Sequence, residues 1–323
     1  MGTELLAIFG GFALLTWSAD RFVTGASAIA YNLKVSPLII GLTIVGLGTS
    51  APEILVSAMA SWQGNSGLAV GNALGSNILN IGLILGFTAI IIPLNVHSSI
   101  VKRELPVLLL VMVIVLLLLL DGTLGRLDGA ILLTAMLLVL IWILRIGLTK
   151  QTPEDPMIHE FADTIPINLD MGRAVFWLVI GALFLLGSSR LLVWGAVSVA
   201  ESMGVSDLVI GLTIVALGTS LPELAASVMS AIKNEHDIAI GNIIGSSITN
   251  LLAVLSLPGL ISPEPIDTAV LSRDYPVMIA LAVTMFVMAY GFRGPGRINR
   301  FEGALLLIGF CSYQTLLYFS ELA

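Results

Sequence analysis

Charge is scarce in this chain. Only 11% of its 323 residues are Asp, Glu, Lys or Arg, against about a quarter in soluble domains, which excludes an ordinary water-soluble fold. There is one cysteine, Cys311, and there are three histidines. A single cysteine forms no internal disulfide. Cys311 lies in the last apolar run and is expected to be a small packing residue. The formal charge of −7 comes mostly from acids between the apolar runs, with no basic stripe to meet nucleic acid.

What fills the chain instead is apolar sequence, 57% of residues, with a mean hydropathy of +1.02. Apolar runs near Leu5–Tyr31, Pro37–Trp62, Leu68–Pro93, Leu105–Leu120, Leu127–Ile146, Ala174–Val199, Asp207–Ile232, Ile238–Leu260, Tyr275–Tyr290 and Phe301–Phe319 are mostly long enough to cross roughly 30 Å of hydrocarbon. The expected fold is therefore an all-α polytopic membrane protein of ten transmembrane helices, with the lipid bilayer as its partner and no obligatory protein partner. Glu4 and the lack of a basic segment before the first run speak against a cleaved signal peptide.

Sorting basic residues by loop puts Lys34, Lys102, Arg103, Arg145, Lys150, Arg173, Lys233, Arg293, Arg297 and Arg300 on one side, and only Arg126 and Arg273 on the other. By the positive-inside rule the first side is cytoplasmic, which places both termini outside the cytoplasmic membrane.

The segment Leu38–Gly86 recurs as Leu208–Ser256, shifted by 170 residues without a gap and with about half of the positions identical. Gly48-Thr49-Ser50-Ala51-Pro52-Glu53 returns as Gly218-Thr219-Ser220-Leu221-Pro222-Glu223. Gly71-Asn72-Ala73-Leu74-Gly75-Ser76-Asn77-Ile78-Leu79-Asn80 returns as Gly241-Asn242-Ile243-Ile244-Gly245-Ser246-Ser247-Ile248-Thr249-Asn250. Arg103-Glu104-Leu105-Pro106 matches Arg273-Asp274-Tyr275-Pro276 at the same shift, and Arg126 matches Arg300 after a four-residue slip. Residues 1–146 and 173–323 thus each hold five helices, joined by a Pro-rich acidic cytoplasmic linker, 147–172. An odd number of crossings turns the second copy upside down, the inverted-repeat plan of many secondary transporters.

A carboxylate at bilayer depth costs about 2.5–3.5 kcal/mol on insertion scales and ordinarily faces a cavity or a partner. Glu53 and Glu223 are such carboxylates, each directly after a proline. Proline has no N–H, so the carbonyls of Gly48 and Gly218, four residues earlier, lose their helical donor and become available to a cation. Thr49 and Ser50 are spaced to share the face of Glu53, as Thr219 and Ser220 are for Glu223. Asn72, Ser76 and Asn80 form a stripe at every fourth residue, and Asn242, Ser246 and Asn250 repeat it. One Ser or Asn alone in such a helix reads as helix-to-helix hydrogen bonding. Two glutamates, each beside a proline break and a polar stripe, read as an oxygen cage. Hard cations such as calcium take six to eight oxygen ligands, and neither motif holds the histidine or cysteine that zinc or copper would favour.

On these motifs the chain resembles the calcium/cation antiporters, in particular the bacterial and archaeal sodium/calcium exchanger branch and its inner-membrane calcium/sodium:proton antiporter type. The resemblance covers essentially the whole chain. It implies that Thr49, Ser50, Glu53, Ser76, Asn80, Thr219, Ser220, Glu223, Ser246 and Asn250, with the backbone carbonyls of Gly46 and Ala216, coordinate the transported ions. It implies no cofactor beyond the transported Ca2+ and Na+, and a sliding movement of the long first helices of each repeat. Asp20, Arg21 and Arg190 lie in those helices and fit either gating contacts or snorkelling toward headgroups. Two departures stand out. Asn250 stands where some members of the family, the potassium-dependent ones among them, carry an aspartate, which speaks against potassium co-transport, and Ser247 stands where the motif has an asparagine, which reads as a packing variation.

The function implied is antiport of calcium against sodium by alternating access. A calcium/proton antiporter using the same glutamates is the nearest alternative. An intramembrane enzyme with the carboxylates as acid and base is remote, because the duplicated motifs hold no histidine set and no obvious nucleophile.

Overall fold

A computed structural model describes residues 2–97, 100–148, 169–202, 216–291 and 296–322. Two 32-residue helices, α1 (Gly2–Leu33) and α7 (Met171–Ser202), pack along each other. Glycine makes that approach possible: a Cβ on Gly25 would lie 2.5 Å from the Leu178 nitrogen, and one on Gly181 2.6 Å from that of Phe22. Leu6, Phe9 and Phe12 of α1 and Phe176 and Leu183 of α7 remain exposed, as side chains bathed in lipid are.

Ser36 caps the next helix by accepting the Leu38 N–H at 3.2 Å. This apolar run is broken: α2 (Pro37–Thr49) and α3 (Ala51–Trp62) meet at 44°, with Ser50 at φ −79°, ψ 7° between them. Pro52 thereby falls in the first turn of α3, where its missing N–H leaves no bond unmade. After the Asn65 cap follow α4 (Ser66–Ile91), α5 (Leu105–Leu119) and α6 (Arg126–Leu148). The second half repeats the pattern with a turn of helix at Ala216–Thr219, then α8 (Leu221–Ile232), α9 (His236–Ile261), α10 (Val270–Ala289) and α11 (Arg300–Leu322). Widened π turns begin at Asn80 and Asn250, and at Ile100 and Val270. The local distortions therefore recur at the spacing of the sequence repeat.

Two small antiparallel pairs mark the ends of the bundle. At one end β1 (Leu94–Val96) pairs with β4 (Gly296–Ile298), and at the other β2 (Thr123–Leu124) pairs with β3 (Glu264–Pro265). Each joins a loop of the first half to a loop of the second. The first end also holds the close of α1 and the start of α7, tied by Asn32 Nδ2 donating to the Leu169 carbonyl at 2.8 Å. It is the end where Lys34, Lys102, Arg103, Arg173, Lys233, Arg297 and Arg300 lie, and is called the linker end below.

At the centre α4 and α9 are largely enclosed, α9 almost wholly. α9 meets α2 through glycine again: a Cβ on Gly245 would strike the Leu42 carbonyl oxygen. Among the described residues six helices are long and apolar enough to cross a membrane, or seven if the bent pair α2 and α3 counts as one span, against the ten expected from the sequence; residues 203–215, part of the expected Asp207–Ile232 span, lie outside the described residues. Most of the 147–172 linker, 149–168, lies outside the described residues. Cys311 is exposed on α11 rather than packed; that helix turns apolar side chains such as Phe301, Leu305 and Ile308 outward as well as burying Leu306 and Phe310.

Candidate functional site

The breaks in the polar helices bring the two glutamates to the centre. Glu53, in the first turn of α3, is 1% exposed, and Glu223, in the first turn of α8, is 2% exposed. Each receives a hydroxyl from the opposite half. Ser50 Oγ donates to Glu223 Oε1 at 3.1 Å, and Ser220 Oγ donates to Glu53 Oε1 at 3.3 Å. Spacing along one helix would have paired each serine with its own glutamate, and the hinge at each serine redirects it across the interface. Thr49 and Thr219 lie beside the carboxylates of Glu223 and Glu53 respectively.

The cage is short of donors. Oε2 of each glutamate, both amide atoms of Asn80 and Oδ1 of Asn250 are buried without a hydrogen-bond partner. No lysine or arginine pairs with either glutamate among the described residues. Buried carboxylates in that condition call for a cation or a proton. Thr49 Oγ1 and Ser246 Oγ approach to 3.4 Å, and Ser246 Oγ donates to the Gly46 carbonyl at 3.2 Å. Glu53, Glu223, Ser50, Ser220, Thr49, Thr219, Ser246 and Gly46 are thus linked in one cluster. Ser76 is buried one turn before Asn80 on α4. Ala216 begins the turn that leads to Glu223.

Several expectations are corrected. Asn72 and Asn242 are supports more than cage ligands: Asn72 Nδ2 donates to the Glu53 backbone carbonyl at 3.0 Å, and Asn242 Nδ2 to that of Glu223 at 3.2 Å. The Gly218 carbonyl, expected to be open to a cation, lies just before the break at Ser220 and accepts from Ser189 Oγ of α7 at 2.8 Å. Ser57 and Ser227 back the two asparagines, Ser227 at 2.9 Å from Asn242 Nδ2. They were legible in principle, since each follows its glutamate by four residues in both copies. Ser247 is fully buried with its Oγ unpartnered.

Two carboxylates and a set of neutral hydroxyl, amide and backbone oxygens suit a hard cation that must also leave. Among the described residues no group of three or more His, Cys, Asp or Glu forms a metal centre.

The sequence matches the family described as "Sodium/calcium exchanger protein" over residues 3–145 and 173–319. It is 51% identical over 310 residues to the putative antiporter CaxA of Alkalimonas amylolytica, covering 96% of this chain and 97% of that one. It is 41% identical to the inner membrane protein YrbG of Escherichia coli, with 98% and 97% covered. The sodium/calcium exchanger MaX1 of Methanosarcina acetivorans is 32% identical, with 98% and 99% covered. A solved structure of the sodium-calcium exchanger NCX_Mj, soaked with zero Na+ and Ca2+, superposes with a TM-score of 0.84 at 32% identity, covering 98% of this chain and 99% of that one. The chain belongs to the sodium/calcium exchanger family, and is an all-helical, multi-pass membrane antiporter of cations rather than an enzyme.

Proposed function

We propose that this protein exchanges calcium for sodium across the cytoplasmic membrane by alternating access, with Glu53 and Glu223 holding the ions between two inverted five-helix repeats. The repeats are residues 1–146 and 173–323, the linker 147–172 is cytoplasmic, and the termini lie outside. The observation that carries the reading is the reciprocal pairing of Ser50 with Glu223 and Ser220 with Glu53, which leaves one bare oxygen on each carboxylate. Two carboxylates supply a charge of about −2, which one calcium ion or a set of sodium ions can balance in turn. Competition for one cage gives exchange without a second path. The bare cage, with both charges buried and unbalanced, crosses poorly, and this couples the two fluxes. Thr49, Thr219, Ser76, Asn80, Ser246, Asn250 and the carbonyls of Gly46 and Ala216 complete the coordination.

Protons are the competing counter-ion. Both carboxylates are buried without a basic partner among the described residues, so a proton could neutralise each as well as a cation does. Calcium uptake into inverted vesicles separates the two readings. An imposed sodium gradient should drive it, and a pH gradient alone should not. Robust proton-driven uptake without sodium dependence would reverse that order.

A further inference from the structure

We propose that Asn242 is a positioning residue for cation binding: its Oδ1 accepts the hydrogen bond of the Thr49 hydroxyl, so that Thr49 presents lone pairs to the transported ion. The inference rests on the reading of Thr49 as a cation ligand. A hydroxyl has one hydrogen and two lone pairs, and only lone pairs bind a cation. If the proton points into the cage, that oxygen is lost to the ion.

Thr49 is fully buried, so water does not take its proton. Asn242 Oδ1 at 3.0 Å is the nearest acceptor; Ser246 Oγ at 3.4 Å and the Gly46 carbonyl at 3.5 Å are longer, and the Glu223 carboxylate is the other group beside it. Donation to the carboxylate would aim the hydrogen at the cage and use a lone pair the cation needs. Donation to Asn242 Oδ1, at 3.0 Å, removes the hydrogen from both. The rotation of the amide is fixed by its other end. Nδ2 donates to the Glu223 carbonyl at 3.2 Å and to Ser227 Oγ at 2.9 Å. Flipping the amide would place Oδ1 against a carbonyl oxygen and leave both buried acceptors unpaired. Asn242 is itself fully buried, which rules out rescue by solvent.

The amide also couples the halves. Thr49 belongs to the first copy, while Asn242, Ser227 and Glu223 belong to the second. One side chain therefore orients a ligand of one repeat while anchored on the backbone of the glutamate of the other. The related Asn72 makes the same bond to the Glu53 carbonyl at 3.0 Å, but its serine contact is longer, 3.5 Å to Ser57.

The test is a double-mutant cycle in proteoliposomes, reading KM for calcium and kcat separately for Asn242→Ala, Thr49→Val and the double variant. A ligand lost from ground-state binding raises KM with kcat nearly unchanged. Asn242→Ala is expected to raise KM about tenfold, Thr49→Val by a similar factor, and the double variant by no more than the larger single effect. Multiplying effects, or a loss of kcat alone, would show that Asn242 does not act through Thr49 and would overturn the proposal. An unchanged KM in Thr49→Val would instead remove Thr49 from the ligand set and so overturn the reading beneath it. Should Asn242→Ala fail to insert, Ser227→Ala removes one anchor of the amide. It is expected to raise KM severalfold and to be silent in a Thr49→Val background, and an additive effect there counts against the proposal.

Discussion

Lys233 Nζ lies 2.8 Å from Asp20 Oδ1 and 2.9 Å from Thr24 Oγ1, which fastens the end of α8 to the middle of α1. Asp20 also sits 3.7 Å from Arg21 Nε, and the Arg21 guanidinium lies 4.8 Å above the Trp177 ring of α7. The paired helices α1 and α7 are thereby tied to the bundle at the linker end. Among the described residues the opposite end has no equivalent pair, because the shift of 170 residues matches Lys233 with Gln63 and Asp20 with Arg190. Consistently, α1 packs along α8, while the related contact of α7 with α3 is slight among the described residues.

This asymmetry leads to the first prediction, that the Lys233 pair favours the conformer closed at the linker end. Both side chains are about a third exposed, so the pair is worth at most about 1 kcal/mol, or roughly a fivefold change in the equilibrium. Asp20→Asn or Lys233→Gln should raise the labelling rate of cysteines introduced at the linker end by up to that factor. Exchanging the two charges should restore the original rate. Equal rates in all variants would show that the pair carries no conformational bias.

The second prediction concerns the carboxylates. A Gln at position 53 or 223 still accepts the serine hydroxyl but supplies no charge. At an effective dielectric of about 20, one charge at about 4 Å is worth roughly 4 kcal/mol to a monovalent ion and more to calcium. Glu53→Gln and Glu223→Gln should each lower calcium exchange at least about a hundredfold, with insertion and monodispersity intact. A variant exchanging calcium at near the parental rate in proteoliposomes would show that the cage is assigned to the wrong residues.

How much of this was readable beforehand follows from the kind of signal each feature leaves. Glu53 and Glu223 were legible because a carboxylate inside apolar sequence has a large cost, and duplication repeats the message. The partner of Ser50 was not. Helical spacing assigns it to Glu53, whereas the hinge at Ser50, set by Pro52, turns its hydroxyl to Glu223. Asn72 and Asn242 were placed on the correct face, but whether an amide turns its oxygen to an ion or its nitrogen to a carbonyl depends on neighbours distant in sequence. Cys311 illustrates the remaining gap: in lipid, apolar and outward-facing are compatible, so hydropathy alone does not separate core from surface.

The third prediction is topological. The linker end gathers most of the basic residues, and charge bias of this kind directs that end to the cytoplasm. Reporter fusions at Ala323 should report a non-cytoplasmic C-terminus, and fusions within 147–172 a cytoplasmic segment. The reverse pattern would exchange the inward and outward labels, and with them the side on which the Lys233 pair closes.

The last prediction concerns ion choice. Asn250 is buried at the start of a π turn of α9 with Oδ1 unpartnered, and on the proposed reading it gives the cage a neutral oxygen. A carboxylate there would add a third negative charge to those of Glu53 and Glu223, enough to balance a further monovalent ion. An amide cannot provide that charge. Sodium-driven calcium exchange should therefore be unchanged when potassium is removed from both sides of the membrane. Asn250→Asp should tighten calcium binding and slow its release, with a fall in kcat and the appearance of a potassium or proton response. The added negative charge would lie beside two buried carboxylates and can be relieved only by a cation or a proton. A strong potassium requirement in the unmodified protein would mean that charge count at position 250 does not decide which ions travel.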